Sequence, residues 1–488
     1  MAGRGFLSKA KDELGITSLL SAPRDVWLLL TTRILRMFAY GSSTLILALY
    51  FAALGHSDSQ IGLFMTLTLV GDVLISLALT LVADSLGRRR ILLLGSLLMT
   101  ASGTIFAITS NYWILLFAAV VGVISPSGNE IGPFRAVEES TIAHLSADTV
   151  RSDIFAWYVV FGTLGTSLGA LGCGWVTNAI ITGGRTDVEA YRFVFLIYAV
   201  IGLVKAMITL MLSPSCEAEP PKPPSTNAEE SRGFLAQGQA SNTPPSTQQK
   251  SKWAVAQLSP ASRRTLLKLC ALFSVDSLAS GMVPTSLVSY YISRKFSISQ
   301  ATLGTIVAAA SFMSSIGNIF ASSLSKRIGF IHTMVFTHLP SAAFLMLLPA
   351  PHGLFLTIVF LVLRATLASM DQAPRSAFLS AVVLPNERTA TMGVVNTVKT
   401  TSQSAGPLIT GLVAGAGHFW IAFVVAGALK ASYDLGMLAI FSSTKVGANA
   451  DQQKDRARYA VGEPDDGGDE AEAFELESDD EGSARSAK

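Results

Sequence analysis

Runs of about twenty apolar residues, the length needed to cross a bilayer as a helix, recur twelve times along this chain. In the first half they fall near 26–54, 60–83, 91–109, 112–140, 154–182 and 191–212. In the second half they fall near 264–292, 300–324, 330–350, 353–383, 390–414 and 418–442. Half of all residues are hydrophobic and only 14% are charged, against roughly 25% in an average soluble domain. The chain therefore reads as an all-α integral membrane protein with twelve transmembrane helices.

The remaining segments divide the chain. Residues 1–25 are mixed in charge and lack the pattern of a cleavable signal peptide, so the first apolar run is expected to stay in the bilayer. Residues 26–212 and 264–442 are expected to form two six-helix bundles. Between them, 213–263 is rich in Pro, Ser, Gln and Glu and reads as a disordered linker, while 443–488 reads as a disordered acidic tail. Twelve spans place both termini and the linker on one side. That side carries Arg88, Arg89, Arg90, Arg151, Arg263, Arg264 and Arg388, so it is expected to be cytoplasmic. A plasma-membrane location is favoured, with a vacuolar or other internal membrane as the alternative. No basic, aromatic-interleaved patch points to nucleic acid. Cys173, Cys216 and Cys270 have no metal-ligand spacing.

The halves repeat. Arg36, Gly41, Tyr50 and Gln60 match Asp276, Gly281, Tyr290 and Gln300 at an offset of 240. Gly62 and Gly87 match Gly304 and Gly329 at 242, and Glu130 and Pro133 match Asp371 and Pro374 at 241. Arg151 and Gly169 match Arg388 and Gly406 at 237. Near-constant offsets at the same places in the span order indicate a duplicated six-helix unit, hence two pseudo-symmetric bundles.

The loop after the second span reads LVADSLGRRRILLLG, with Asp84, Gly87, Arg88 and Arg89 in a D-x-x-G-R-R pattern. It resembles the loop 2–3 signature of the major facilitator superfamily. Thr80 replaces the usual leading glycine, and the second copy, SSLSKRIGFIHT, keeps Gly329 but has Lys326 in place of Asp84. The resemblance implies alternating-access transport between two rocking bundles, and a signature cluster that latches one state. Glu138 and Glu139 are the expected partners of Arg88–Arg90 in such a cytoplasmic gate; the alternative is a simple topology anchor. The fifth span, GTLGTSLGALGCGW, carries Gly162, Gly165 and Gly169. It resembles the glycine-rich motif of proton-coupled exporters, with Ala170 where the motif has proline. The eleventh span supplies Gly406 and Pro407 instead. Ordinary helix packing explains these small residues equally.

Ionisable groups at membrane depth cost at least about 2.5–3.5 kcal/mol and need a partner or a watery cavity. The expected substrate or proton-coupling residues are Arg36, Asp72, Glu130, Arg135, Asp276, Arg364 and Asp371, and Arg33 and Lys399 are further ionisable groups within the spans. The resemblance implies that spans 1, 4, 7 and 10 line the central cavity. Static pairing, such as Asp72 with Arg33 or Arg36, is the alternative. Lys205, on the peripheral sixth span, is expected to snorkel to an interface. The segment SPSGNEIGPFRAVEESTIAHL divides into a cavity part, Asn129–Arg135, and a rim part, Glu138–His144.

No P-loop, nucleophile, metal or cofactor site assembles, and the histidines are scattered in or near short loops or at a helix end. The expected function is a secondary active transporter of a small solute, proton-coupled, monomeric, using membrane lipid and no cofactor, and not an enzyme. The alternative is a non-transporting nutrient sensor on the same scaffold.

Overall fold

The computed structural model describes residues 15–122, 124, 126, 133–147, 150–217, 260–382 and 388–441. Among these residues every regular element is helical. The first half contains α1 (Ile16–Leu20), α2 (Arg24–Ala53), α3 (Asp58–Leu86), α4 (Arg88–Ile108), α5 (Tyr112–Gly122), α6 (Pro133–Leu145), α7 (Arg151–Thr182) and α8 (Asp187–Leu210). The second contains α9 (Pro260–Met282), α10 (Thr285–Phe296), α11 (Gln300–Ile328), α12 (Phe330–Leu347), α13 (Leu354–Ser369), α14 (Gln372–Val382), α15 (Arg388–Gly415) and α16 (Phe419–Phe441).

Three of the twelve spans are made of two helices each: α5 with α6, α9 with α10, and α13 with α14. A proline stands at each restart. Pro133 opens α6, Pro284 caps α10, and Pro374 lies in the first turn of α14. Proline fits a first turn, where its missing N–H has no partner to lose. Proline alone does not set the breaks, since Pro340 and Pro407 lie inside α12 and α15. Among the described residues ten helical segments are long and apolar enough to cross a membrane. The fourth span is interrupted, and α15 is a full 28-residue helix whose middle, TVKTTSQS, is polar. Large side chains such as Trp113, Phe117, Trp175 and Phe355 stand exposed on the outer surface, as expected where lipid rather than water is the neighbour.

The core is divided unevenly along the molecule. At the end away from the termini one apolar cluster runs across both halves, joining Leu45, Phe51 and Phe64 to Met282, Ile306 and Phe423. At the terminal end each half has its own cluster, one around Leu30, Ile142 and Tyr158, the other around Phe273, Phe378 and Tyr433. The halves are therefore fused at the far end and separately packed at the other.

Two glycine crossings make that fusion close. Gly62 on α3 meets Gly411 on α15, and Gly174 on α7 meets Gly304 on α11. A Cβ added at Gly62 would lie 2.4 Å from the Pro407 carbonyl oxygen, and one at Gly174 would lie 2.5 Å from that of Gln300. Gly62 and Gly304 are repeat equivalents, and so are Gly174 and Gly411. The same contact is therefore built twice, as small residues allow when backbones approach. Polar contacts reinforce it. Tyr290 donates to Asp58 at 2.8 Å, Arg294 pairs with Asp58 at 2.7 Å, and the Gln300 side chain donates to the Tyr191 hydroxyl at 3.0 Å.

Candidate functional site

Buried charge collects in two clusters, one per half. In the first half the anion is Glu138 on α6, fully buried. Arg36 on α2 grips it with both terminal nitrogens, at 2.8 and 2.6 Å. The Tyr158 hydroxyl on α7 donates to it at 3.1 Å, and the Lys205 ammonium on α8 lies 3.9 Å away. Arg33, one helical turn before Arg36, stacks over the Tyr158 ring with its guanidinium carbon 4.4 Å from the ring centre. Three cations thus surround one carboxylate, each drawn from a different turn or helix. Lys205 does not snorkel. It is 3% exposed and contributes to this cluster, because α8 packs against α2 and α4 instead of standing free in lipid.

In the second half the centre is Asp276 on α9. Lys430 on α16 donates to one of its oxygens at 2.7 Å, and Arg375 on α14 donates to the other at 2.8 Å. Arg375 also pairs with Asp371, one turn earlier in sequence. Its guanidinium lies over the rings of Phe273 and Tyr433 at 5.3 and 5.2 Å. Lys430 also donates to the Ser280 hydroxyl at 2.7 Å. His338 on α12 places Nδ1 3.0 Å from each oxygen of Asp434, and Nε2 3.9 Å from Asp276. His338 is buried in the bundle, not in or near a loop. A line of polar groups therefore runs Asp434, His338, Asp276, Arg375, Asp371. Asp371 is buried, and among the described residues its Oδ1 has no hydrogen-bond partner.

This second cluster opens onto a cavity of about 700 Å³. Asp276, Arg364, Asp371, Arg375, Lys399 and Lys430 all line it, from α9, α13, α14, α15 and α16. Arg135 on α6 of the other half lines it too, while pairing with Glu139 one turn along at 2.7 Å. Its size suits a small-molecule ligand.

The structure thus brings Asp276, Arg364, Asp371 and Arg135 of the expected set around one cavity. It places Arg36 in the first-half cluster. Asp72 is buried on α3 and is not among the described lining residues. Glu130 lies outside the described residues, as does the side chain of Asp84. Among the described residues the expected gate pairing is not formed. Glu138 faces inward to Arg36, and Glu139 is held by Arg135. An acid that does reach the loop 2–3 turn is Glu217, just past α8, which accepts from the backbone N–H of Arg88 at 2.7 Å and of Arg89 at 3.2 Å. The reason is geometric. Gly87 turns the chain with φ of 87° and exposes the first N–H groups of α4, where a carboxylate is favoured by unpaired donors and the helix dipole. Gly165 and Gly169 pack on the α2 backbone, Gly162 lies against Arg33, and Gly406 lies against Gly281.

Sequence reading missed Arg375, Lys430, Asp434 and His338. The signal was present as Lys and Asp four residues apart inside the apolar run of α16, and as Asp371 and Arg375 at the same spacing across the break into α14.

The family model described as Major Facilitator Superfamily matches residues 29–285 and 269–461. The Saccharomyces cerevisiae (strain ATCC 204508 / S288c) protein called Uncharacterized membrane protein YJR124C is 34% identical over 452 residues, covering 90% of this chain and 98% of its own. Among solved structures, the nucleoside transporter NupG superposes with a TM-score of 0.63 at 13% identity, over 86% of this chain and 99% of its own. The D-xylose-proton symporter gives 0.64 at 15% identity, over 86% and 98%. A bacterial homolog of the human lysosomal transporter Spinster, in an inward-facing conformation, gives 0.58 at 15%, over 85% and 94%. Twelve spans in two repeated bundles, the loop 2–3 signature and the match along both halves agree, and the chain belongs to the major facilitator superfamily.

Proposed function

We propose that the protein is a secondary active transporter that moves a small solute by alternating access, with protons as the coupling ion. The observation that carries this reading is the cavity of about 700 Å³ in the midst of spanning helices, beneath an end where both halves share one core. A charged cavity held between two bundles that meet at one end and pack separately at the other suits a rocking carrier. With the termini taken as cytoplasmic, this conformation is inward-facing.

Asp371 supports the proton as driver. It is buried, lines the cavity, and shares Arg375 with Asp276, leaving one oxygen without a donor among the described residues. A buried acceptor in that situation is satisfied by a proton or by a donor on the solute. The His338–Asp434 pair extends the polar line toward α12 and α16. The loop 2–3 turn, with Asp84, Gly87, Arg88 and Arg89, acts in this reading as a conformational latch whose resting partner is Glu217.

Purified protein in liposomes tests the reading. Solute counterflow should proceed without a pH gradient, and an imposed gradient should drive accumulation. Asp371→Asn should abolish the gradient-driven accumulation and leave counterflow intact. Accumulation at the unmodified rate in that variant refutes the coupling role.

A further inference from the structure

The cavity's charges do not balance. Five of its described lining side chains are cationic and two are acidic. The two acids are already engaged: Asp276 by Lys430 and Arg375, and Asp371 by Arg375. Arg135 has Glu139. That leaves Arg364 and Lys399. The Arg364 side chain makes no hydrogen bond or ion pair with any described residue, and only its backbone carbonyl is used, by Ser341. Lys399 makes no direct ion pair with a described residue; it lies 5.6 Å from the ring centre of Phe273 and feels Asp276 and Asp371 only through space. Two cations without a contacting acid in the middle of a membrane protein are costly unless something else brings negative charge.

Arg364 also stands at a junction. Together with Thr285, Ala368 and Gln372 it lines a second pocket of about 220 Å³. The walls of that side pocket are small and mostly apolar, with Val288, Val307 and Leu361. Ser289 lines it as well, and its buried hydroxyl has no partner among the described residues.

Resting on the transporter reading, we propose that the solute is a small organic anion. Its acid group, a carboxylate or phosphate, is held by Arg364 and Lys399. Its compact, partly apolar body enters the side pocket beside Ser289. The planar fork of arginine matches either oxyanion, and lysine adds a point charge. The anion supplies the negative charge that the chain itself does not place there. Arg375 and Lys430 remain structural, because Asp276 and Asp371 together neutralise them.

The test is exchange flux in liposomes at one fixed pH with full-length protein. Three probe sets are compared: anions with a small apolar body (butyrate, benzoate, phenyl phosphate), neutral solutes (glucose, uridine) and cations (choline, spermidine). Flux is expected for anions alone, and a preference within the anions separates carboxylate from phosphate. Arg364→Gln and Lys399→Gln should each lower anion flux at least about tenfold, the factor expected for losing one charged contact. Lys399→Arg should retain it. Each variant is checked for an unchanged gel-filtration profile, and if Arg364→Gln fails that check, Lys399→Gln decides. Flux of neutral or cationic probes alone overturns the anion assignment and leaves the transporter reading standing. So does anion flux that is unaffected by either substitution. No flux of any probe overturns both.

Discussion

Arg36 and Glu138 lie 102 residues apart and meet in a two-pronged pair at 2.8 and 2.6 Å, with Glu138 wholly buried. This pair ties α2 to α6 across the first bundle. Glu138→Gln removes the buried carboxylate that Arg36 grips and Lys205 approaches. Breaking one side of a buried pair typically costs about 3–5 kcal/mol. A marked fall in thermal unfolding temperature in a fixed detergent is the expected outcome. Replacing both partners, as Arg36→Met with Glu138→Leu, should destabilise less than the two single changes added together, by about 1–3 kcal/mol. Strict additivity would show that the two residues do not act as a pair.

The glycine crossings give a symmetric prediction. Gly62→Ala and Gly304→Ala each place a methyl group against a neighbouring backbone, 2.4 and 2.6 Å from a carbonyl oxygen. Both should loosen the shared far end to a similar degree. Thr44→Cys, buried beside Ser286 on the opposing half, reports this when it is the sole cysteine. Its labelling by a membrane-impermeant maleimide should accelerate severalfold in either glycine variant. Equal rates with and without the added methyl groups would contradict the role of the crossings in closing that end.

Glu217 is expected to act as a cap. It accepts from the first two N–H groups of α4, a contact comparable to a helix N-cap, whose loss costs about 0.5–2 kcal/mol. In Glu217→Ala the amides of residues 88–90 should exchange with deuterium faster, while peptides from α12 and α16 stay unchanged. Uniform exchange across the protein would place the effect elsewhere.

Cys216 offers a chemical readout of the same region. Burial, followed by the nearby Asp25 carboxylate, pushes its thiol up to about 11, against roughly 8.5 for a free cysteine. The reactive thiolate is therefore scarce in the folded protein at pH 8. In a Cys173→Ser, Cys270→Ser background, alkylation at pH 8 should be slow when folded and fast after denaturation. Fast labelling of the folded protein at pH 8 would show that the segment after α8 leaves its packed position.

How much of this was legible in sequence follows from the physics of each signal. The spans and the repeat are patterns of many residues, and they appear as read. Single charges were harder. Asp276, Asp371, Arg364 and Arg135 were found because an ionisable group in a span is costly wherever it points. Their partners depend on helix rotation and crossing, which periodicity does not supply. Lys205 therefore looked peripheral yet turns inward, and Glu138 looked like a rim residue yet sits at the centre of a cluster. His338 was passed over because its span carries no other ionisable group between His332 and the next loop, and its partner Asp434 is nearly one hundred residues away.

The two repeats have put their buried ions to different uses. In the first, the charges close on one another around Glu138. In the second, they face open space. A molecule entering the cavity would therefore meet almost only the ions of the second copy, with Arg135 the one described charge that the first copy extends to it.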